Sequence, residues 1–129
     1  MAACLAHAAC AGAPSSPSST VALGVWGGEH IIMTVTSASG HFEFDCAHGD
    51  VGTTLVLDAR GKFSATGSFV REHGGPIRLG EASDSHPASY AGTVTGNAMV
   101  LTVRLTDLAE TIGTFMLTVG SPGRVVKCL

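Results

Sequence analysis

A chain of 129 residues has room for one domain with a single hydrophobic core. Its 45% hydrophobic and 13% charged residues are typical of a globular protein and not of a disordered one. The net charge of −3 provides no basic surface for phosphates, which argues against nucleic-acid binding, and the chain contains no apolar run long enough to predict a transmembrane helix.

The first twenty residues differ in composition from the rest, being rich first in alanine and then in serine and proline. Small residues at 11–13 would suit a signal peptidase, so residues 1–20 are predicted to be a signal-peptide remnant or a disordered linker. Residues 21–129 are predicted to form a single β-barrel domain. The protein is then expected to be secreted or periplasmic. A lipid anchor at Cys10 is an alternative that His7 disfavours, because an aliphatic residue is expected at that position.

From Val21 onwards, short segments of alternating apolar and polar residues are separated by turn residues, and a period of two predicts strands that bury one face. We predict strands at residues 23–26 with a continuation at 30–36, and at 41–47, 53–57, 62–72, 88–95, 99–106, 111–119 and 124–128. Turns are predicted at 39–40, 48–50, 59–61, 96–97, 107–110 and 121–123. A long polar loop, of a length that is more often functional or mobile than structural, is predicted at 74–87.

Consecutive hairpins of this kind form an up-and-down meander, and closing the meander removes its exposed edges. The predicted fold class is therefore all-β, an antiparallel meander that closes into a small barrel of about eight strands. Gly24-Val25-Trp26-Gly27, followed by such a meander, resembles the calycin-type barrels, which are the lipocalins and avidins. In those families a Gly-x-Trp near the first strand closes one end of the barrel, so the resemblance implies that role for Trp26.

The same alternation predicts which side chains face the core. With few aromatic residues available, both a filled and a hollow interior fit the composition. The predicted core residues are Ile31, Met33, Val35, Phe42, Phe44, Cys46, Phe63, Ala65, Gly67, Phe69, Tyr90, Val94, Met99, Leu101, Val103, Leu105, Phe115, Leu117 and Val119.

The inward-facing series of the 62–72 strand ends in polar residues. Its last two positions are Arg71 and His73, and Glu72 lies between them on the opposite face. Charges aimed into a barrel end need partners or water, so these three residues, with the aromatic residues Trp26 and Tyr90, are candidate ligand contacts. The alternative is that the strand has ended by Arg71 and that the three polar residues form a solvated turn.

Histidine and acidic residues also alternate on one predicted strand. His41, Glu43 and Asp45 share a face and His48 follows closely, and imidazole with carboxylates suits zinc. The alternative is an ordinary solvated face, since no zinc-binding motif accompanies these residues. No cofactor is predicted.

The two cysteines outside the first twenty residues, Cys46 and Cys128, are 82 positions apart. In an exported protein they predict a disulfide that ties the end of the chain to the sheet. Two buried free thiols are the alternative.

The chain carries neither a nucleophile motif nor a phosphate-binding loop. The leading hypothesis is an exported small β-barrel that binds a small apolar or anionic molecule or a protein surface. A metal-dependent or hydrolytic enzyme using the His, Glu and Asp residues at the barrel mouth is the second hypothesis. A structural envelope or surface protein is the third.

Overall fold

The computed structural model describes residues 19–76 and 78–129, which form ten β-strands and no helix. The strands are β1 (Ser19–Thr20), β2 (Gly24–Gly28), β3 (Ile31–Val35), β4 (Gly40–Phe44), β5 (Ala47–Val51), β6 (Val56–Leu57), β7 (Lys62–Arg71), β8 (Asp84–Thr95), β9 (Ala98–Leu105) and β10 (Glu110–Val119).

Eight strands form a closed antiparallel barrel in the order β10-β2-β3-β4-β5-β7-β8-β9. Each barrel strand pairs with the next barrel strand along the chain, and β10 pairs with β2 to close the cylinder. The remaining two strands, β1 and β6, pair with each other in a separate two-stranded sheet. The predicted all-β meander and its closure into about eight strands are confirmed.

Alternate residues of the barrel strands are buried, as a period of two requires. Val21 and Leu55, from segments beside the barrel, complete the buried core. Ala65, Val94, Phe115 and Val119 pack against it while partly exposed. The predicted core residues that are buried are Ile31, Met33, Val35, Phe42, Phe44, Phe63, Phe69, Tyr90, Met99, Leu101, Val103, Leu105 and Leu117.

Aromatic side chains occupy the barrel interior. The rings of Phe42 and Tyr90 are stacked with their centroids 4.2 Å apart, and the Tyr90 hydroxyl donates to the Ser68 carbonyl at 2.6 Å. Gly49 leaves room for this hydroxyl, because a Cβ atom at that position would collide with it and with the Ser68 carbonyl oxygen. These rings belong to one continuous cluster of buried side chains inside the barrel.

The predicted turn at 48–50 is wrong, because these residues belong to β5 and the chain reverses at Asp45-Cys46 instead. Cys46 adopts a φ of 51°, a left-handed conformation used in tight turns. Glycine and aspartate usually indicate a turn, but Gly49 faces inward beneath Tyr90, and its residue type is set by packing.

Other boundaries also differ from the prediction, and the predicted strand at 53–57 is reduced to β6 (Val56–Leu57). The first predicted strand is a hairpin of β2 and β3, which reverses at His30 with a φ of 69°, and Gly27-Gly28 lie within β2. The long loop spans residues 72–83, because β8 begins at Asp84 and Pro87 lies inside that strand.

Residues 120–129 form a tail that follows β10 along the outside of the barrel. The predicted strand at 124–128 is wrong, since only Arg124 makes bridges, with Glu29 and Ile31 of the β2–β3 hairpin. Gly27 allows the close approach of the tail, because a Cβ atom there would collide with the Gly123 backbone.

The predicted disulfide between Cys46 and Cys128 is present, with 4.9 Å between the two Cα atoms. It fastens the tail to the β4–β5 turn. Backbone contacts reinforce this attachment, since Val126 N donates to Asp45 Oδ1 at 2.7 Å and Cys46 N donates to the Val126 carbonyl at 3.2 Å.

Most of the predicted N-terminal segment, including Cys10, lies outside the described residues. Ser19 and Thr20, which the prediction assigns to the linker, pair with β6. Within the described part of the chain, no helical segment has the length and apolar character to cross a membrane.

Candidate functional site

Four connections lie at one end of the barrel, because a meander places alternate turns at opposite ends. They are the turns β2–β3, β4–β5 and β9–β10 and the β7–β8 loop of residues 72–83. The tail reaches the same end through Cys128. We call it the loop end, and Arg71, Glu72 and His73 all lie there.

The Arg71 guanidinium spans the loop end. Its Nη2 donates to both carboxylate oxygens of Glu110, at 3.0 and 3.1 Å. Arg71 ends β7 and Glu110 begins β10, and β8 and β9 separate these strands in the barrel. Phe69, on the same face of β7 as Arg71, packs against Phe44 with ring centroids 5.2 Å apart. Arg71 is thus a cation at the barrel mouth whose charge is already paired.

His73 lies beyond the end of β7 and is exposed, so it does not continue the inward-facing series. Its Nδ1 is 2.9 Å from the Gly74 carbonyl oxygen and its Nε2 is 2.7 Å from Glu81 Oε1. The Gly74 carbonyl and the Glu81 carboxylate favour the protonated ring, which raises the pKa of His73 above 6.5. The side chain joins the two arms of the β7–β8 loop.

Glu72 faces β5 and the tail. Its Oε2 is 2.7 Å from His48 Nδ1 and accepts a hydrogen bond from Lys127 Nζ at 3.1 Å. Partial burial opposes ionisation, but the hydrogen bonds from His48 and Lys127 outweigh it and lower the pKa of Glu72 below 4.5. Glu72 therefore links three elements that are remote in sequence.

Lys127 connects this group to the β4–β5 hairpin. In addition to Glu72, its Nζ donates to Glu43 Oε2 at 2.7 Å, to the Ala47 carbonyl at 2.9 Å and to the Phe44 carbonyl at 3.2 Å. Burial disfavours the charged amine, but Glu43 and Glu72 outweigh this effect and raise the pKa of Lys127. The ammonium is held by two carboxylates and two carbonyls.

The predicted metal candidates are divided among several pairs. His41 lies between Asp50, 2.6 Å from Nδ1, and Glu43, 2.9 Å from Nε2. Asp45 is paired with His30 at 2.6 Å, and His48 with Glu72 as described above. Among the described residues, no group of three or more His, Cys, Asp or Glu side chains is arranged to hold a metal ion.

His86, near the start of β8, was not among the predicted site residues. Its Nε2 is 2.7 Å from Asp84 Oδ1 and its Nδ1 is 2.7 Å from Asp107 Oδ2 in the β9–β10 turn. The hydrogen bonds with Asp107 and Asp84 raise the pKa of His86 above 6.5. Through its contact with Asp107, the His86 ring links β8 to the β9–β10 turn.

A surface cavity of about 280 Å³ lies beside these groups, between the β7–β8 loop and β5. We call it the loop pocket. It brings together Arg71, Glu72 and His73 from the predicted site with His48 from the metal candidates. The lining residues are His48, Val70, Arg71, Glu72, His73, Glu81, Ala82, Ser83 and Asp84.

Trp26 and Tyr90 do not line the loop pocket. Trp26 is 1% exposed and donates from Nε1 to the Ala22 carbonyl at 2.9 Å, while Tyr90 is fully buried. Burial raises the pKa of the Tyr90 phenol, which stays protonated as a donor to Ser68. Both rings belong to the packed core.

Sequence reasoning did not find Lys127, Glu81, Asp84, His86 or Asp107. Asp84 and His86 are two residues apart on one strand, the same spacing that singled out His41 and Glu43. This spacing could therefore have indicated Asp84 and His86 from the sequence. The contacts of Lys127 and Asp107 depend on the path of the tail and on the β9–β10 turn, and no local pattern indicates them.

Comparison of the chain with protein-family models, with curated proteins and with solved structures finds no match. The function therefore has to be argued from the geometry of the site itself.

The pH dependence of stability follows from these pairs. Raised pKa values of His41, His73 and His86 contribute stability that is complete below pH 6.5 and is lost as the pH rises through the folded-state values. Lowered pKa values of Glu43 and Glu72 contribute stability that is complete above pH 4.5 and is lost as the pH falls.

We therefore expect the protein to be most stable between pH 4.5 and pH 6.5. Its melting temperature should fall by about 2–6 °C between pH 6 and pH 8.5, since each exposed pair contributes little. Calorimetry across pH 4 to 9 measures this. A His41→Gln variant should show a smaller fall on the alkaline side, and a melting temperature that rises steadily with pH would contradict the assignment.

Proposed function

We propose that the protein is an exported β-barrel that binds a small polar molecule at the loop pocket and that it acts as a binding module rather than as an enzyme. The observation that carries the proposal is the loop pocket itself, which collects charged and polar groups from β5, β7, β8 and the loop around one cavity. Buried side chains occupy the barrel interior, which supports a ligand site outside it. The disulfide supports export, because such bonds persist in oxidising compartments.

The size and lining of the loop pocket favour a ligand about as large as an amino acid. Its volume of about 280 Å³ is near the lower end of small-molecule sites, which begin at about 300 Å³. Val70 and Ala82 offer apolar contact, while Arg71, Ser83 and Asp84 offer donors and acceptors. A simple anion would compete with Glu110 for Arg71. A small molecule with both donors and acceptors fits this mixture best.

A thermal-shift screen tests the proposal. The probes are the twenty amino acids one at a time, inorganic phosphate, zinc chloride and laurate, each at pH 6. We expect at least one polar organic probe to raise the melting temperature by about 2 °C or more, because a ligand that binds the folded state stabilises it by mass action.

Ala82→Trp should fill the loop pocket without changing its charge and should abolish the shift. Ala59→Trp, at another exposed position in the β6–β7 turn, is the matched control and should keep it. The proposal fails if no probe stabilises the protein, or if Ala82→Trp responds as the wild type does.

A hydrolase is the second candidate, and one observation favours it. His48 Nδ1 is held by Glu72, and its Nε2 makes no hydrogen bond with the described residues, which is how a general base is oriented. Ser83 lines the same pocket. However, all five histidines in the described residues pair with carboxylates, so the pairing alone does not distinguish a catalytic base. Turnover of p-nitrophenyl acetate that is lost in His48→Gln would favour the hydrolase.

The structural-protein hypothesis receives less support. An exposed strand edge would favour self-association, whereas the eight barrel strands are closed on themselves.

A further inference from the structure

Three histidines have hydrogen-bond acceptors at both ring nitrogens. His41 and His86 each lie between two carboxylates, and His73 lies between a carboxylate and a backbone carbonyl. Carboxylate and carbonyl oxygens only accept hydrogen bonds, and a neutral imidazole carries a single N–H. Both contacts of each ring therefore exist together only while the ring is protonated. Of the three rings, His73 lines the loop pocket, and His86 is hydrogen-bonded to Asp84, which also lines it.

His73 links the two arms of the β7–β8 loop. It joins the outgoing arm to Glu81 on the returning arm, and Glu81 Oε2 in turn accepts from Arg78 N at 3.0 Å. Gly74 and Gly75, which follow His73, are exposed. Leu79 of this loop is fully exposed. Chain segments with few buried apolar contacts depend on polar contacts for their order.

His86 holds the other side of the same pocket. It fixes Asp84, a lining residue, and connects it to Asp107 in the β9–β10 turn. When the ring is neutral, it can donate to only one of these carboxylates, and the other is left facing a ring nitrogen that also accepts.

We propose that the loop pocket is assembled while His73 and His86 are protonated and loosens when they become neutral, so that the site forms in mildly acidic solution. The inference rests on the proposed function, because it assigns a regulation to the same site.

The other charged groups that face these rings come from several elements. Glu72 is paired with Lys127 of the tail, Arg71 of β7 with Glu110 of β10, and Asp84 and Glu81 with the two histidines themselves.

His48 also adjoins the loop pocket, but it bonds Glu72 through Nδ1 alone. A neutral ring with its proton on Nδ1 keeps this contact. The two doubly bonded rings are therefore the groups whose neutralisation removes contacts. The neighbouring acceptors raise the pKa of both His73 and His86, which puts the transition above pH 6.5.

Backbone order parameters from ¹⁵N relaxation, measured without ligand at pH 6.0 and pH 8.5, test this inference. We expect the order parameters of the Gly74, Gly75 and Glu81 amides to fall from about 0.8 at pH 6.0 to below about 0.6 at pH 8.5, which is the range of flexible backbone. In the His73→Gln variant, these order parameters should be low at both pH values. His41→Gln removes a doubly bonded ring from β4 and is the matched control, which should behave as the wild type does.

The inference is overturned if the loop amides have equal order at both pH values, or if the pH dependence persists in a His73→Gln/His86→Gln double variant. Because no ligand is present, this result is independent of the screen. A loop that stays rigid at pH 8.5 in a protein that binds a probe would refute the regulation alone. A loop that loosens in a protein that binds no probe would refute the binding function alone.

Discussion

Replacing Cys46 and Cys128 with serine is expected to lower the free energy of unfolding by about 3–5 kcal/mol, because the bond closes a long loop and restricts the unfolded chain. The two cysteines are 82 residues apart, and the bond attaches a tail that has no strand of its own. Without it, we expect the tail to detach from the β4–β5 turn and Lys127 to leave its carboxylate partners. Urea unfolding of the double variant and the wild type measures the difference.

Reducing agent provides the control for this prediction. Cys4 and Cys10 are replaced by serine in both proteins so that other thiols do not exchange with the bond. Reductant should lower the stability of the protein with the disulfide to that of the double variant and should leave the double variant unchanged. Equal unfolding midpoints with and without the bond would contradict the prediction, because they would show that the disulfide contributes nothing to stability.

Phe42→Ala is expected to destabilise the barrel by about 3–5 kcal/mol, because a fully buried ring leaves a cavity that its neighbours fill only in part. Phe42 is 0% exposed, and its ring stacks on Tyr90 in the middle of the barrel. Met116→Ala, on the outer face of β10 where Met116 is 75% exposed, is the control and should change the stability by about 0.5 kcal/mol or less.

Urea unfolding followed by circular dichroism gives both values. If Phe42→Ala lowered the free energy of unfolding as little as Met116→Ala, the interior would not be packed around Phe42. The proposal that the ligand binds outside the barrel would then lose its basis.

The architecture could be predicted from the sequence because an alternating pattern is a direct consequence of burying one face of a strand. Met99, Leu101, Val103 and Leu105 show this in β9, where each predicted core residue is buried. The pattern failed where residue type was set by something other than local conformation. Gly49 indicated a turn, but it is a strand residue whose missing side chain accommodates the Tyr90 hydroxyl.

The candidate site could be predicted only in part. Arg71 and His73 could be predicted because they end an apolar series beside the long loop, with Glu72 between them on the opposite face, and all three line the loop pocket. Their partners Glu110, Glu81 and Lys127 could not be found, since these contacts depend on barrel closure, loop path and tail path. Trp26 and Tyr90, which are also predicted ligand contacts, are buried in the core instead.

Chemical-shift mapping by NMR tests the central claim, that the ligand site is the loop pocket and not the barrel interior, most directly. The ¹⁵N-labelled protein is titrated at pH 6.0 with each of the twenty amino acids in turn. We expect the amides of His48, Val70, Ala82 and Ser83 to shift in a saturable manner for at least one of them. Amides of the packed core, such as those of Met33 and Val103, should not move. Shifts centred on the core, or no saturable shift with any of the probes, would contradict the account.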